Sequence, residues 1–149
     1  MKCLSAFFLF LFFVASLPAC SSNPKKPSAV SIKASRLQDT LARLTDAYEK
    51  KAQESFLSNV SPSFKPLDAL RNKLSSDFLQ FTEVNLRMVI NWVEIRDETL
   101  DTTVQWVGVW KKSVDGPPLK KRGTTRFRWS NQEHPELVEI IGTSPFGIF

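Results

Sequence analysis

From Arg36 to about Ser58 the apolar residues Leu37, Leu41, Leu44, Tyr48 and Phe56 recur at spacings that keep them on one face of a helical period. The spacing predicts one amphipathic helix, capped by Ser35 and closed before Ser61-Pro62, because the residue ahead of a proline is pushed out of the helical region. A second, shorter helix is predicted next: Pro66 suits its first turn, and Leu67, Leu70, Leu74, Phe78 and Phe81 again form a single stripe.

After Thr82 the period shortens to two. In EVNLRMVINWVEI, the apolar residues Val84, Leu86, Met88, Ile90 and Trp92 alternate with mostly polar neighbours, and then Val93 and Ile95 take over the apolar parity. A bulge or a change of buried face explains such a switch. TTVQWVGVWKKSV sets Val104, Trp106, Gly108 and Trp110 against Gln105, Val107, Val109 and Lys111. TTRFRWS sets Phe127 and Trp129 against Arg126 and Arg128, and ELVEIIG sets Leu137 and Ile141 against Val138 and Ile140. The connections DETLD, VDGPPLKK and NQEHP are rich in turn formers. The order predicts an α+β domain, with N-terminal helices packed on a four-stranded antiparallel β-meander that Gly108 allows to curve.

Ahead of this domain the chain reads MKCLSAFFLFLFFVASLPAC: one cation at Lys2, an apolar run from Leu4 to Leu17, then small residues. That is the layout of a secretory signal peptide, and the run falls short of the roughly 20 apolar residues a spanning helix needs. Leu17-Pro18-Ala19-Cys20 resembles the bacterial lipobox. The resemblance implies cleavage after Ala19 and a diacylglycerol on Cys20, with two or three acyl chains as a stable membrane anchor. Ser21 and Ser22, with no aspartate, resemble the pattern that sorts Gram-negative lipoproteins to the outer membrane, facing the periplasm. The Ser, Asn, Pro and Lys composition that follows is that of a tether, whose Lys25 and Lys26 lie close enough to touch anionic head groups. The organisation expected is thus a signal peptide over 1–19, a lipidated N-terminus and flexible tether over 20–35, and one domain over 36–149.

Composition narrows the chemistry. The chain has 149 residues, 20 Lys+Arg against 15 Asp+Glu, a net charge of +5, one histidine and two cysteines. Both cysteines, Cys3 and Cys20, precede the domain, so a disulfide scaffold and a zinc finger drop out. No dense basic stripe with interleaved aromatics is present, so nucleic acid is not an expected partner.

The element order, the aromatic meander and the closing pattern ELVEIIGTSPFG resemble the nuclear transport factor 2-like superfamily, also described as the SnoaL-like or cystatin-like cone, over Ser35 to Phe149. The resemblance implies a long N-terminal helix in the concave side of a strongly bent sheet, a pocket at the open end, and dimerisation through the outer sheet face. LSNVSPSFKP is too short for the hairpin of the fuller members, so the likeness is to the small ones.

Enzymes with this cone, such as ketosteroid isomerases, polyketide cyclases and scytalone dehydratase, place an Asp or an Asp-His pair with tyrosines in the pocket. Here the sole histidine, His134, lies in a turn, and neither it nor the sole tyrosine, Tyr48, maps onto those positions. Asp46, Asp77 and Glu94 are the carboxylates nearest apolar stripes, and a buried one would have the raised pKa suited to a general base. No nucleophile elbow, phosphate loop or metal-ligand spacing occurs, so no catalytic residue, cofactor or metal is assigned.

Tyr48, Trp106, Trp110 and Trp129 either form core or line a pocket for a small apolar ligand. Arg126 and Arg128 are expected to share the outer face with Val107, Val109, Val138 and Ile140. With Lys120, Lys121 and Arg122 they form a candidate partner surface, joined at the hairpin end by Lys111 and Lys112; a solvated tip is the alternative reading of that end. The function expected is a lipid-anchored periplasmic domain without evident catalytic residues, binding a small apolar ligand, a second copy or an envelope protein. The alternatives are a cone-fold enzyme using a pocket carboxylate and a structural subunit of an envelope complex.

Overall fold

The computed structural model describes residues 27–148. The signal segment, Cys20 and the first part of the tether lie outside the described residues. Three helices, α1 (Ala29–Glu49), α2 (Gln53–Leu57) and α3 (Leu67–Gln80), precede four strands, β1 (Glu83–Ile95), β2 (Thr99–Lys111), β3 (Leu119–Ser130) and β4 (Leu137–Gly142). The strands form one antiparallel meander in the order β1-β2-β3-β4. The fold class read from the sequence is the one observed. Among the described residues no helix is long and apolar enough to cross a membrane.

The first helix begins earlier and ends earlier than its apolar stripe suggests. Ser28, not Ser35, is its cap, accepting a hydrogen bond from the Ser31 amide at 3.1 Å. Residues 29–35, which read as tether, are helical. That turn buries little, so apolar periodicity carries no trace of it, and the cap alone marks its start. At the other end Lys51 adopts a left-handed φ of 57°. The Ala52 amide reaches the Ala47 carbonyl at 2.8 Å and the Lys51 amide reaches Tyr48 at 3.1 Å, the paired bonds of a Schellman stop. The Lys51 ammonium also donates to the Phe81 carbonyl, tying this turn to the start of the sheet. Phe56 therefore sits on a separate short helix.

Leu37, Leu41, Leu44 and Tyr48 of α1 pack on the inner face of the sheet, against Leu100, Val104, Trp106, Trp110, Phe127 and Trp129. The switch of parity in β1 is a bulge between Ile90 and Trp92. It turns Val93 inward and Trp92 outward, where 51% of that residue is exposed, while Ile95 at the strand end stays exposed.

A second irregularity, between Arg128 and Trp129, corrects the alternation read for β4. Val138 is left unpaired, so Leu137 faces Trp129 and Ile140 faces Phe127, both on the inner side. The neighbours of Arg126 and Arg128 on the outer face are Ile141 and Glu139, not Val138 and Ile140. Gly108 lies against the ring of Trp110, two residues along β2. It leaves the space that the Trp110 ring occupies, and any Cβ there would overlap that ring.

Candidate functional site

The inner face of α1 and α3 brings together two polar side chains that sequence reading treated separately. Tyr48, in the last turn of α1, donates its hydroxyl to Asp77 Oδ2 on α3. Trp110 Nε1 donates to the same phenolic oxygen at 3.1 Å, and the Ile148 amide donates to Asp77 Oδ2 at 3.0 Å. Tyr48, Asp77 and Trp110 are each 0% exposed. Burial, then the hydrogen bond to Asp77 and its negative charge, push the Tyr48 pKa far above that of a free phenol, and donation by Trp110 offsets only part of this. Asp77 Oδ1 is buried without a hydrogen-bond partner.

The closing residues seal this pair. Phe146 fills the space between α1, α2 and β3, with ring centroids 5.2 Å from Tyr48, 4.8 Å from Phe56 and 6.1 Å from Phe127. Zero exposure means that no water-sized space touches either Tyr48 or Asp77, so a substrate does not reach them in this conformation. Of the three carboxylates singled out in the sequence, Asp77 is the buried one. Asp46 pairs with Lys50 at 2.8 Å, and Glu94 pairs with Arg96 at 3.2 Å.

Trp106, Trp110 and Trp129 sit in one aromatic chain running through the core. Trp106 packs edge-on to Trp110 at 6.5 Å, and Trp129 packs edge-on to Phe127 at 5.7 Å, with Phe127, Phe146 and Tyr48 linking the two ends. Each indole N–H is satisfied internally: Trp106 by Thr125 Oγ1 at 2.8 Å and Trp129 by Thr102 Oγ1 at 2.9 Å. The sequence therefore names residues that do come together, and their contacts are those of core.

The outer face carries two different arrangements. At one end Asp101, 0% exposed, accepts from Arg126 at 2.8 Å and Arg128 at 3.0 Å, with Arg96 at 3.5 Å. Arg128 also meets Glu139 at 2.6 Å, and Arg126 lies 3.6 Å from Glu94. Burial alone would raise the Asp101 pKa, but Arg128 and Arg126 outweigh it and hold the carboxyl below its usual range. Arg126 and Arg128 are thus committed to an internal network. Sequence reading missed Asp101 because it placed DETLD in a turn. Extending the β2 alternation back to Thr99 puts Asp101 on the face of Arg126 and Arg128.

Farther along the same face the rows across the sheet read Val89, Gln105, Thr124, then Arg87, Val107, Arg122, then Asn85, Val109, Lys120. Val89 and Val107 are 53% and 54% exposed. A depression of about 390 Å³ opens here, lined by Gln105, Val107, Arg122 and Thr124, with Trp106 and Gly123 beneath. Of the cations proposed as one surface, Lys120 and Arg122 lie here, whereas Lys121 pairs across to Gly108 with the inner parity. His134 is exposed in the β3–β4 turn, beside Arg36 and Arg43. A further groove of about 440 Å³ separates α1 from β1, between Leu41, Ala42 and Thr45 on one side and Leu86, Met88 and Ile90 on the other. Within it Glu49 accepts from the Leu86 amide at 2.6 Å.

This architecture matches solved structures closely in shape. A nuclear transport factor 2-like superfamily protein from Salmonella enterica serovar Typhimurium superimposes with a TM-score of 0.65 at 10% identity, covering 79% of this chain and 94% of that one. The fold is the nuclear transport factor 2-like cone. A candidate scytalone dehydratase from Novosphingobium aromaticivorans gives a TM-score of 0.65 at 8% identity, over 76% of this chain and 85% of that one. A candidate dehydratase of the same fold family from Streptomyces avermitilis gives 0.62 at 10% identity, over 72% and 93%. No protein-family model matches the sequence, and no curated protein does. At these identities the likeness is one of fold alone.

Proposed function

We infer that this protein is a lipid-anchored docking domain of the bacterial cell envelope, held in the outer membrane through Cys20 and binding a protein partner through the outer face of its sheet. The observation that carries this reading is the exposure of Trp92, Val89 and Val107 on one sheet face of a domain whose interior polar pair has no solvent contact. Contiguous exposed apolar surface of that kind marks an interaction site. The lipobox-like segment supports the anchor.

The test is native mass spectrometry of the full-length protein, gently extracted from the membranes of its host. A complex with a second protein that Trp92→Ser disperses is expected. A co-purifying small molecule with no protein partner would overturn the reading in favour of a ligand domain. Cys20→Ala is expected to abolish lipid labelling and release the processed domain from membranes.

A second reading, a cone-fold enzyme of the dehydratase or isomerase type, draws on Asp77, whose Oδ1 is left without a partner beside Tyr48. It requires residues 144–148 to swing away and admit a substrate. Turnover lost in Asp77→Ala, with the fold intact, would establish it.

A further inference from the structure

We propose that the partner segment held by the outer sheet face is acidic, with carboxylates seated against Arg87 and Arg122 and an apolar side chain over Val107. The inference rests on the docking reading above and specifies its partner. Arg87, Arg122 and Lys120 are exposed, and among the described residues none of them has a carboxylate partner. The register places Arg87 and Arg122 on either side of Val107 in a single row. Strands lie about 4.8 Å apart, so the two guanidinium stems leave the sheet about 10 Å from each other. On an extended segment, side chains two and four residues apart share a face at about 7 and 14 Å, so acids four residues apart with an apolar residue midway reach both guanidinium groups and Val107 from one side. The depression against Arg122 is walled by Gln105 and Thr124, side chains that can donate further hydrogen bonds to a carboxylate.

Two other occupants fit less well. A second copy offers no free acid from this face, since Glu83 pairs with Lys111, Glu94 with Arg96, and Asp101 and Glu139 with Arg128. Two such faces together would oppose cation to cation. The anchoring bilayer is at the wrong end. Arg36, early in α1, pairs with Glu133 in the β3–β4 turn, whereas Glu49 at the end of α1 meets Leu86 near the start of β1. The chain therefore enters the domain at one end of the sheet, and the unpaired cations cluster toward the other, most of the length of a 21-residue helix away.

The experiment uses the full-length protein in detergent micelles and a short Gly/Ser peptide centred on Glu-Ser-Leu-Ser-Glu, with a Gln-Ser-Leu-Ser-Gln twin. Binding is read from Trp92, because the other three tryptophans are at most 2% exposed. The acidic peptide is expected to bind, to weaken as salt rises, and to lose about tenfold in affinity in the Arg87→Gln/Arg122→Gln variant. Equal binding of the neutral twin, or unchanged binding by the variant, overturns the acidic assignment. In the host, a photo-crosslinker at Val107 separates the two levels of the proposal. A crosslinked protein that persists in the double variant, with neither peptide binding, refutes acidity while keeping the docking face. No crosslink at Val107 refutes both.

Discussion

Tyr48 and Asp77 meet across the interface of α1 and α3, the phenol donating to the carboxylate, and neither touches solvent. A carboxylate in that place has been taken out of water with one oxygen unpaired, so each donor it retains matters more than a surface hydrogen bond would. Tyr48→Phe removes a donor and leaves Asp77 with the Ile148 amide. A loss of about 1–3 kcal/mol is expected from urea unfolding, while Asp77→Asn combined with Tyr48→Phe should cost less than the sum of the two single changes.

The same pair makes alkaline stability a readout of one residue. The folded pKa of Tyr48 lies above its unfolded value of about 10. Its contribution is therefore complete below that pH and is lost progressively as pH rises above it, because only the unfolded chain can ionise the phenol. Since the chain has a single tyrosine, the tyrosinate absorbance should stay silent through the normal phenol range and rise only together with unfolding. A separate titration near pH 10 in the folded protein would contradict the burial described here.

Asp101 predicts the opposite limb. Its folded pKa is depressed by Arg128 and Arg126 against the effect of burial, so its contribution is present above the unfolded carboxyl pKa of about 4 and fades as pH falls through the folded value. Asp101→Asn should flatten the acid side of the stability profile relative to the parent while leaving the alkaline side unchanged, as measured by thermal unfolding across pH.

Phe146 is the stopper of the core. Phe146→Ala removes a ring in contact with Tyr48, Phe56 and Phe127 and is expected to cost about 3–5 kcal/mol. If the fold survives, the cavity should bind a small aromatic probe such as benzene, detectable as a rise in melting temperature, and the Tyr48 titration should shift back toward the ordinary range.

Gly108→Ala tests the fit between β2 and its own tryptophan. The added methyl would overlap the Trp110 ring, so a loss of about 1–3 kcal/mol or more and a changed near-ultraviolet circular dichroism signal are expected. At Gly123 a Cβ would come within 2.7 Å of Trp106, and alanine there should behave similarly.

Much of the fold was legible because burial writes a period into the chain. The stripe from Leu37 to Tyr48, the alternation around Trp106 and Trp110, and the parity switch in β1 each report one buried face, and together they gave the helices, the meander and the first bulge. Where burial is weak the pattern fell silent, as in residues 29–35, whose helix is set by the Ser28 cap. It misled where a single extra residue shifts the register. Val138 reverses the faces of Ile140 and Ile141 with no change in local composition.

The sequence by itself therefore determined the α+β order and the inward placement of Trp106, Trp110 and Trp129. Only the tertiary structure decided that Tyr48 and Asp77 are partners, that Phe146 closes over them, that Asp101 absorbs Arg126 and Arg128, and that Arg87 and Arg122 remain unpaired beside Val107. Periodicity along a chain records which side of an element is dry. Which charges cancel depends on contacts between elements far apart in sequence, such as Tyr48 with Asp77 or Asp101 with Arg128, and those distances exist only after the sheet has closed around its helix.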